Sequence, residues 1–380
     1  YERKRLLLKR RTVALLLALV GALAACSAKT ADAGPHAAVY VLTGAQDQPP
    51  ALLALRADGG KTLSRTALRQ AGASAMALGD DGRLWVGGRS VSGLPLTSIT
   101  VLDAALGTQN RVTTPANPGA GMAFAGGKLY VAASQNGFGG AVAEIDPATL
   151  ATRTLEIPAP TDKSYILTAL AAAGDKVVVA GMTNGPDPAK RYAAITVLDA
   201  RTLTIAWRSE VLPHADIWQI LPYQGGFVLL NAASAEDQRS PAQDGWVLTA
   251  DNRLTPLAMG AAPVWGAIQG DVLYSYHNRT WNALASSNAR AVSTYNLSTG
   301  QRRSAALPDG MDVRDVLLAD DRLLLSVRST GDERPSGVYA LKLDEARLIE
   351  RAPVPTLLAQ VDSPGKLLWR PAPATAAAAR

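Results

Sequence analysis

Two groups of side chains hold most of the chemistry that this chain offers. In the first, His214, Asp216 and Trp218 share one short stretch, Trp265 follows, and His277, Arg279 and Trp281 close it. Imidazole, carboxylate and guanidinium beside large indoles make an amphipathic patch, a surface type enriched at interfaces and ligand clefts. In the second, Asp312, Arg314 and Asp315 crowd together. Carboxylates around an arginine bind a cation, do acid–base work, or simply pair with it. Stronger catalytic signals are missing from the sequence. His36, His214 and His277 are far apart, and neither HExxH, GxSxG nor a glycine-rich phosphate loop occurs. Cys26 is the one cysteine, so no cysteine pair can hold zinc, an iron–sulfur cluster or covalent haem. The expectation is a binding site with no catalytic residue, no metal and no cofactor.

What positions these residues is a repeat. Apolar runs follow a glycine or aspartate hinge at intervals of 44 to 51 residues: VYVLTG from Val39, then RLWVGG, KLYVAA, KVVVAG, FVLLNA, VLYSYH, RLLLSV and KLLWR. A hairpin with Asp, Asn, Pro, Thr or Gly at its turn follows each run, as in AVAEIDPATLATRTLEI, and one more apolar stretch precedes each hinge. Four strands per unit at this period predict an all-β fold, a β-propeller of seven four-stranded blades. Three strands of one blade lie between Val39 and Leu68, and six complete units between Ser74 and Ala352, the last ending in the hairpin 338–352. The missing inner strand is expected from the C-terminal segment, around 355–361, closing the ring and removing exposed sheet edges. The run GKLLWR leaves an eighth, incomplete blade open. A single domain at 37–370 and a low-complexity, disordered tail at 371–380 complete the expected layout.

The stretch KLYVAASQNGFGGAVAEIDPATLATRTLEIP resembles the YVTN-type repeat, in which a Tyr-Val strand leads to an Ile-Asp-Pro-Ala-Thr hairpin. Tyr130 and Val131 match the first part, and Ile145, Asp146, Pro147, Ala148 and Thr149 the second. Such repeats build seven-bladed propellers similar to the lactonase-like and YncE-like proteins of bacterial envelopes. The matching residues are hinge and turn positions, so the resemblance implies the fold more than an activity.

The first 25 residues read as an export signal. Arg3, Lys4, Arg5, Lys9, Arg10 and Arg11 precede an apolar core from Thr12 to Ala25, and the site Leu-Ala-Ala-Cys ends at Cys26. The apolar stretch is too short to span a bilayer core of about 30 Å at about 1.5 Å per residue. The match to the bacterial lipobox implies that Cys26 is diacylated, and two acyl chains anchor stably without a transmembrane helix. Ser27 in place of an aspartate implies, by the same resemblance, the outer membrane. Residues 26–36 then form the acylated cysteine and a short tether.

Removing the signal changes the charge balance. Of 38 Lys and Arg six precede Cys26, and of 32 acidic residues one does, leaving 32 against 31, or +1. No basic cluster with interleaved aromatics remains, which argues against nucleic acid as a partner. Propeller strand order puts the second-to-third-strand loops and the blade-to-blade connections on one face. Here those are long and polar, as in AASAEDQRSPAQD and HNRTWNALASSNAR, while the opposite face has tight turns. Trp218 and Trp265, from corresponding inner strands, with Trp281, are expected at the channel mouth on the long-loop face, and Asp216, Asp312 and Asp315 along the channel. Trp207 and Trp246 read as blade filling. The function favoured is a non-catalytic docking platform for a protein or ligand. A lactonase-like hydrolase with a channel site is the alternative, and a subunit of a periplasmic redox enzyme is a third reading.

Overall fold

The structure, a computed structural model, describes residues 38–371 except 45–49, 59, 69–71, 89–97, 104–105, 108, 115–116, 135–139, 161–164, 184–191, 234–243, 260–261, 278–289, 332 and 344–353. Cys26, Arg279, Trp281, the signal, the tether and the tail past 371 lie outside the described residues.

Burial explains why each strand has its composition. The second and third strands of a blade have neighbours on both faces, so runs such as Gly226–Asn231 and Gly140–Ile145 are buried at every position. Continuous apolar runs are what such doubly covered strands require. Outer strands face water: Thr152–Ile157, reading TRTLEI, is mostly exposed. Seven antiparallel sheets result, each built from an inner strand outward. The inner strands are Pro364–Arg370, Ala73–Leu78, Asn117–Ala125, Tyr165–Ala173, Ile217–Tyr223, Pro263–Gln269 and Met311–Ala319, and each touches the next around a closed ring. We number blades 1 to 7 in this order. The chain is a seven-bladed β-propeller.

Ring closure departs from expectation in one detail. The closing strand of blade 1 is Pro364–Arg370, paired with Ala38–Thr43, rather than 355–361. Thr356–Gln360 is instead the outer strand of blade 7, paired with Gly337–Lys342 in place of the expected partner within 338–352. The reason is burial. An inner strand must pack on both neighbouring blades, and Leu367, 6% exposed, joins the core between blades 7 and 1. The sequence TLLAQ stays largely exposed, as an edge strand can. GKLLWR is thus the closing strand itself, which removes the eighth-blade alternative. Blade 4 carries one extra short pairing, Leu212–Pro213 against Tyr192–Ala193.

Among the described residues there is no single central core. The buried apolar residues form seven clusters among the described residues, one in each seam between neighbouring blades. Stability is therefore close to a sum of nearest-neighbour seams, as in linear repeat proteins, with closure adding one more seam. Trp246 (4% exposed) and the partly buried Trp207 belong to the seam between blades 4 and 5.

The tight-turn face is braced by its own polar groups. In the YVTN-like hairpin, Asp146 Oδ1 accepts the N–H groups of Ala148 (2.8 Å) and Thr149 (3.0 Å), and Lys128 pairs with the same carboxylate. Lys128, with those amides, holds the Asp146 carboxyl well below the usual carboxylate range. Asp199 and Asn296 make the same turn in blades 4 and 6. Braces then cross the seams: Arg83 donates to Pro147 O (2.6 Å), Lys176 to Asn252 Oδ1 (2.9 Å) and Tyr130 to Ala200 O (2.6 Å). Side chains committed this way are poor candidates for a binding surface.

Tyr130 gives a pH prediction. Burial, then the Glu144 carboxylate, push its hydroxyl up to about 12 from 10.0, and burial pushes Tyr165 and Tyr276 up as well. A phenol whose folded pKa exceeds its unfolded value stabilises fully below pH 10, and that contribution falls as pH rises towards 12. The expected result is a denaturation midpoint that drops steeply above pH 10, with phenolate absorbance rising together with unfolding. Phenolate formation for all tyrosines near pH 10, with no loss of stability, would contradict it.

Candidate functional site

A bulge near the long-loop end of the inner strands decides where the candidate residues point. Registers shift between Ala73 and Ala75, Leu167 and Ala169, Ile217 and Gln219, Pro263 and Trp265, and Val313 and Asp315. The unpaired residues at these shifts are Ser74, Thr168, Trp218, Val264 and Arg314. An extra residue bends the strand and re-aims its side chain, and such bulges recur beside functional sites. Trp218 and Trp265 therefore do not occupy matching positions. Trp218 aligns with Arg314, while Trp265, one step further on, aligns with Gln219 and Asp315.

Around this level, side chains tie each inner strand to the next. Ser74 Oγ donates to Gly119 O (3.2 Å) and Thr168 Oγ1 to Ile217 O (2.6 Å). Gln219 holds both backbone groups of Gly266, its amide donating to the carbonyl (3.0 Å) and its oxygen accepting the N–H (2.7 Å). Asp315 plays the equivalent part at ring closure: Oδ2 accepts the Leu367 N–H (2.8 Å) and Oδ1 accepts the Lys366 ammonium (2.9 Å). The same ammonium lies over the Trp265 ring, 4.1 Å from its centroid. Lys366 belongs to blade 1 and Trp265 to blade 6, so this contact passes the inner edge of blade 7 and places both at the channel. On the same inner strand as Asp315, Arg314 pairs with Asp312 at 2.6 Å.

The other expected residues turn inward. Asp216 is 2% exposed, and its N–H donates to Asn231 Oδ1 (2.9 Å). His277 is 3% exposed with Nε2 3.2 Å from Ser275 Oγ, inside blade 6 rather than at the mouth. Polar residues flanking an apolar strand look alike in sequence whether they end it or enter it. His214 sits in the connection into blade 5, half-buried, with a left-handed φ of 55°. The structure thus brings together Trp265, Asp315 and Lys366, with the Asp312–Arg314 pair on the same inner strand as Asp315 and Trp218 half-buried at the bulge of blade 5. Lys366 had no signal of its own, because its run read as surplus to the blade count. Among the described residues no group of three or more His, Cys, Asp or Glu is placed to hold a metal.

No family model matches the chain, and no curated protein does. Solved structures do. A candidate 6-phosphogluconolactonase from Bacteroides fragilis NCTC 9343 superposes with TM-score 0.61 at 14% identity, covering 88% of this chain and 98% of that one. One from Bacteroides uniformis ATCC 8492 gives 0.60 at 14%, covering 89% and 100%. Apo AztD from Citrobacter koseri gives 0.50 at 10%, covering 88% and 98%. At these identities the likeness is one of fold.

Proposed function

We propose that this protein is an envelope-anchored binding propeller, held through diacylated Cys26 and docking a protein or ligand on its long-loop face. The observation that carries the reading is the state of the carboxylates at the channel. Both oxygens of Asp315 have partners, and Asp312 is paired with Arg314. A carboxylate with its oxygens already accepting is poorly placed to take a substrate proton. Trp218, Trp265 and the basic groups remain partly exposed instead, which suits recognition.

The test is a native pull-down of the tagged, lipidated protein from solubilised envelopes, beside Trp218→Ala/Trp281→Ala. A stoichiometric partner captured by the wild type and lost in the double variant is the expected result. A partner retained by both would place the interface elsewhere, and none would refute protein docking. For the anchor, Cys26→Ser is expected to abolish palmitate incorporation and move the protein to the soluble fraction.

A lactonase-like activity is the second reading. It is favoured by Asp312, Arg314, Asp315 and Lys366 gathered on inner strands, in a fold shared with the two candidate 6-phosphogluconolactonases. Lactone hydrolysis that Arg314→Gln abolishes would establish it over simple binding.

A further inference from the structure

We infer that the channel mouth between blades 6, 7 and 1 binds a small, acceptor-rich anion, a polar molecule carrying a carboxylate or phosphate. The inference stands independently of protein docking, since it rests on donors and acceptors within the ring.

In each of the two ion pairs the acid is sunk and the base is presented. The Asp315 and Asp312 side chains are each 5% exposed, whereas Lys366 is 30% and Arg314 40% exposed. Acceptors are largely spent: Asp315 gives one oxygen to Lys366 and the other to the Leu367 amide, and Asp312 Oδ2 takes Arg314. Donors are not. An ammonium has three N–H groups, and Lys366 commits one to Asp315 and turns towards the Trp265 ring. A guanidinium has five, of which the Arg314–Asp312 contact takes only part. Each pair is neutral as a whole, so the attraction comes from its outward-pointing positive end and its spare donors.

Two further features fit this ligand. Arg314 stands at the bulge of blade 7, where the strand re-aims its side chain, and the adjacent residue Asp315 holds Lys366. Arg314 and the residue that anchors Lys366 are therefore consecutive on one inner strand. Trp265 keeps the Lys366 ammonium in place by a cation–π contact, so little side-chain freedom remains to be lost on binding. A cationic ligand would instead meet the two exposed basic groups. A neutral one would gain only single hydrogen bonds, weaker than charge-assisted ones.

The matched pair glucuronate and glucose, which differ by a carboxylate, tests the charge requirement on the full-length protein. Tryptophan fluorescence and titration calorimetry are expected to show saturable binding of glucuronate and none of glucose, weakening with added salt. Arg314→Gln is expected to weaken glucuronate binding by about tenfold, the usual worth of a charge-assisted hydrogen bond. Arg314→Lys serves where the glutamine variant does not fold, keeping a cation beside Asp312 but losing the planar fork. Inorganic phosphate binding as tightly as glucuronate would mean that a simple anion suffices, which still supports the site. Equal response to glucose and glucuronate, or unchanged affinity in a folded Arg314 variant, would overturn the proposal. So would no response to either anion, whatever the pull-down returns.

Discussion

Replacing Asp315 with alanine is expected to lower the unfolding free energy by about 2–3 kcal/mol, mainly the cost of leaving the buried Leu367 N–H without its acceptor. Asp315 ties the last inner strand to the closing strand, which its pairing with Ala38–Thr43 joins to the other end of the domain. Its carboxylate, 5% exposed, holds the Lys366 ammonium and the Leu367 amide of the closing strand. Removing it leaves a buried N–H without its acceptor and frees Lys366, while Pro364–Arg370 keeps only its pairing to Ala38–Thr43 and its apolar contacts. Asp315→Asn separates the two parts. An amide oxygen can still accept the Leu367 N–H, so this variant should lose the charge pairing and roughly half as much stability. Chemical denaturation gives the totals, and amide exchange at Leu367 gives the location. Exchange should quicken in the closing strand before blades 3 to 5 respond. An alanine variant less than about 1 kcal/mol below wild type would mean that strand pairing alone closes the ring.

The overall architecture was legible because doubly covered strands need uninterrupted apolar runs, and runs such as KLYVAA and RLLLSV stand out against polar turns. Turn chemistry was legible for the same reason: the Asp-Pro-Ala-Thr hairpin at Asp146 makes the hydrogen bonds its residue types imply. The closing strand was placed about nine residues too early, 355–361 against Pro364–Arg370. Both stretches are short and apolar, and only the seam with blade 7 distinguishes them. The site was legible by residue type but not by direction. Trp265 and Arg314 lie at or just past a bulge of an inner strand and stay partly exposed, whereas His277 ends the regular second strand of its blade, which is covered on both faces. No pattern of period two records where a bulge falls. Lys366 gained its importance from partners contributed by Trp265 in blade 6 and Asp315 in blade 7, a relation no local sequence window contains.

Gly60→Ala is expected to cost about 2–5 kcal/mol, and the outer half of the same seam explains why. The hairpin turns of blades 1, 3 and 4 share one geometry: the N–H of the fifth residue returns to the carbonyl of the first, at Gly60–Arg56, Leu150–Asp146 and Leu203–Asp199. The fifth residue has a left-handed φ in each case, 67° at Gly60, 61° at Leu150 and 55° at Leu203. Blades 3 and 4 accept a leucine there. Its backbone strain costs about 1–2 kcal/mol, and Leu203 offsets part of that by being buried in the seam between blades 3 and 4. Blade 1 has no such room. A Cβ on Gly60 would lie 1.9 Å from the carbonyl oxygen of Leu358, in the outer strand of blade 7. That atom is backbone in a paired strand, so it cannot rotate away, and the added overpacking is about 1–3 kcal/mol. Leu150→Gly is the control, since it relieves the same strain on an exposed side chain and exchanges it for chain entropy, with a net change within about 0.5 kcal/mol. If closure is the weak point of this ring, Gly60→Ala should also speed amide exchange in both Thr356–Gln360 and Pro364–Arg370. A loss confined to the blade 1 hairpin would show that the inner and outer halves of the seam open separately.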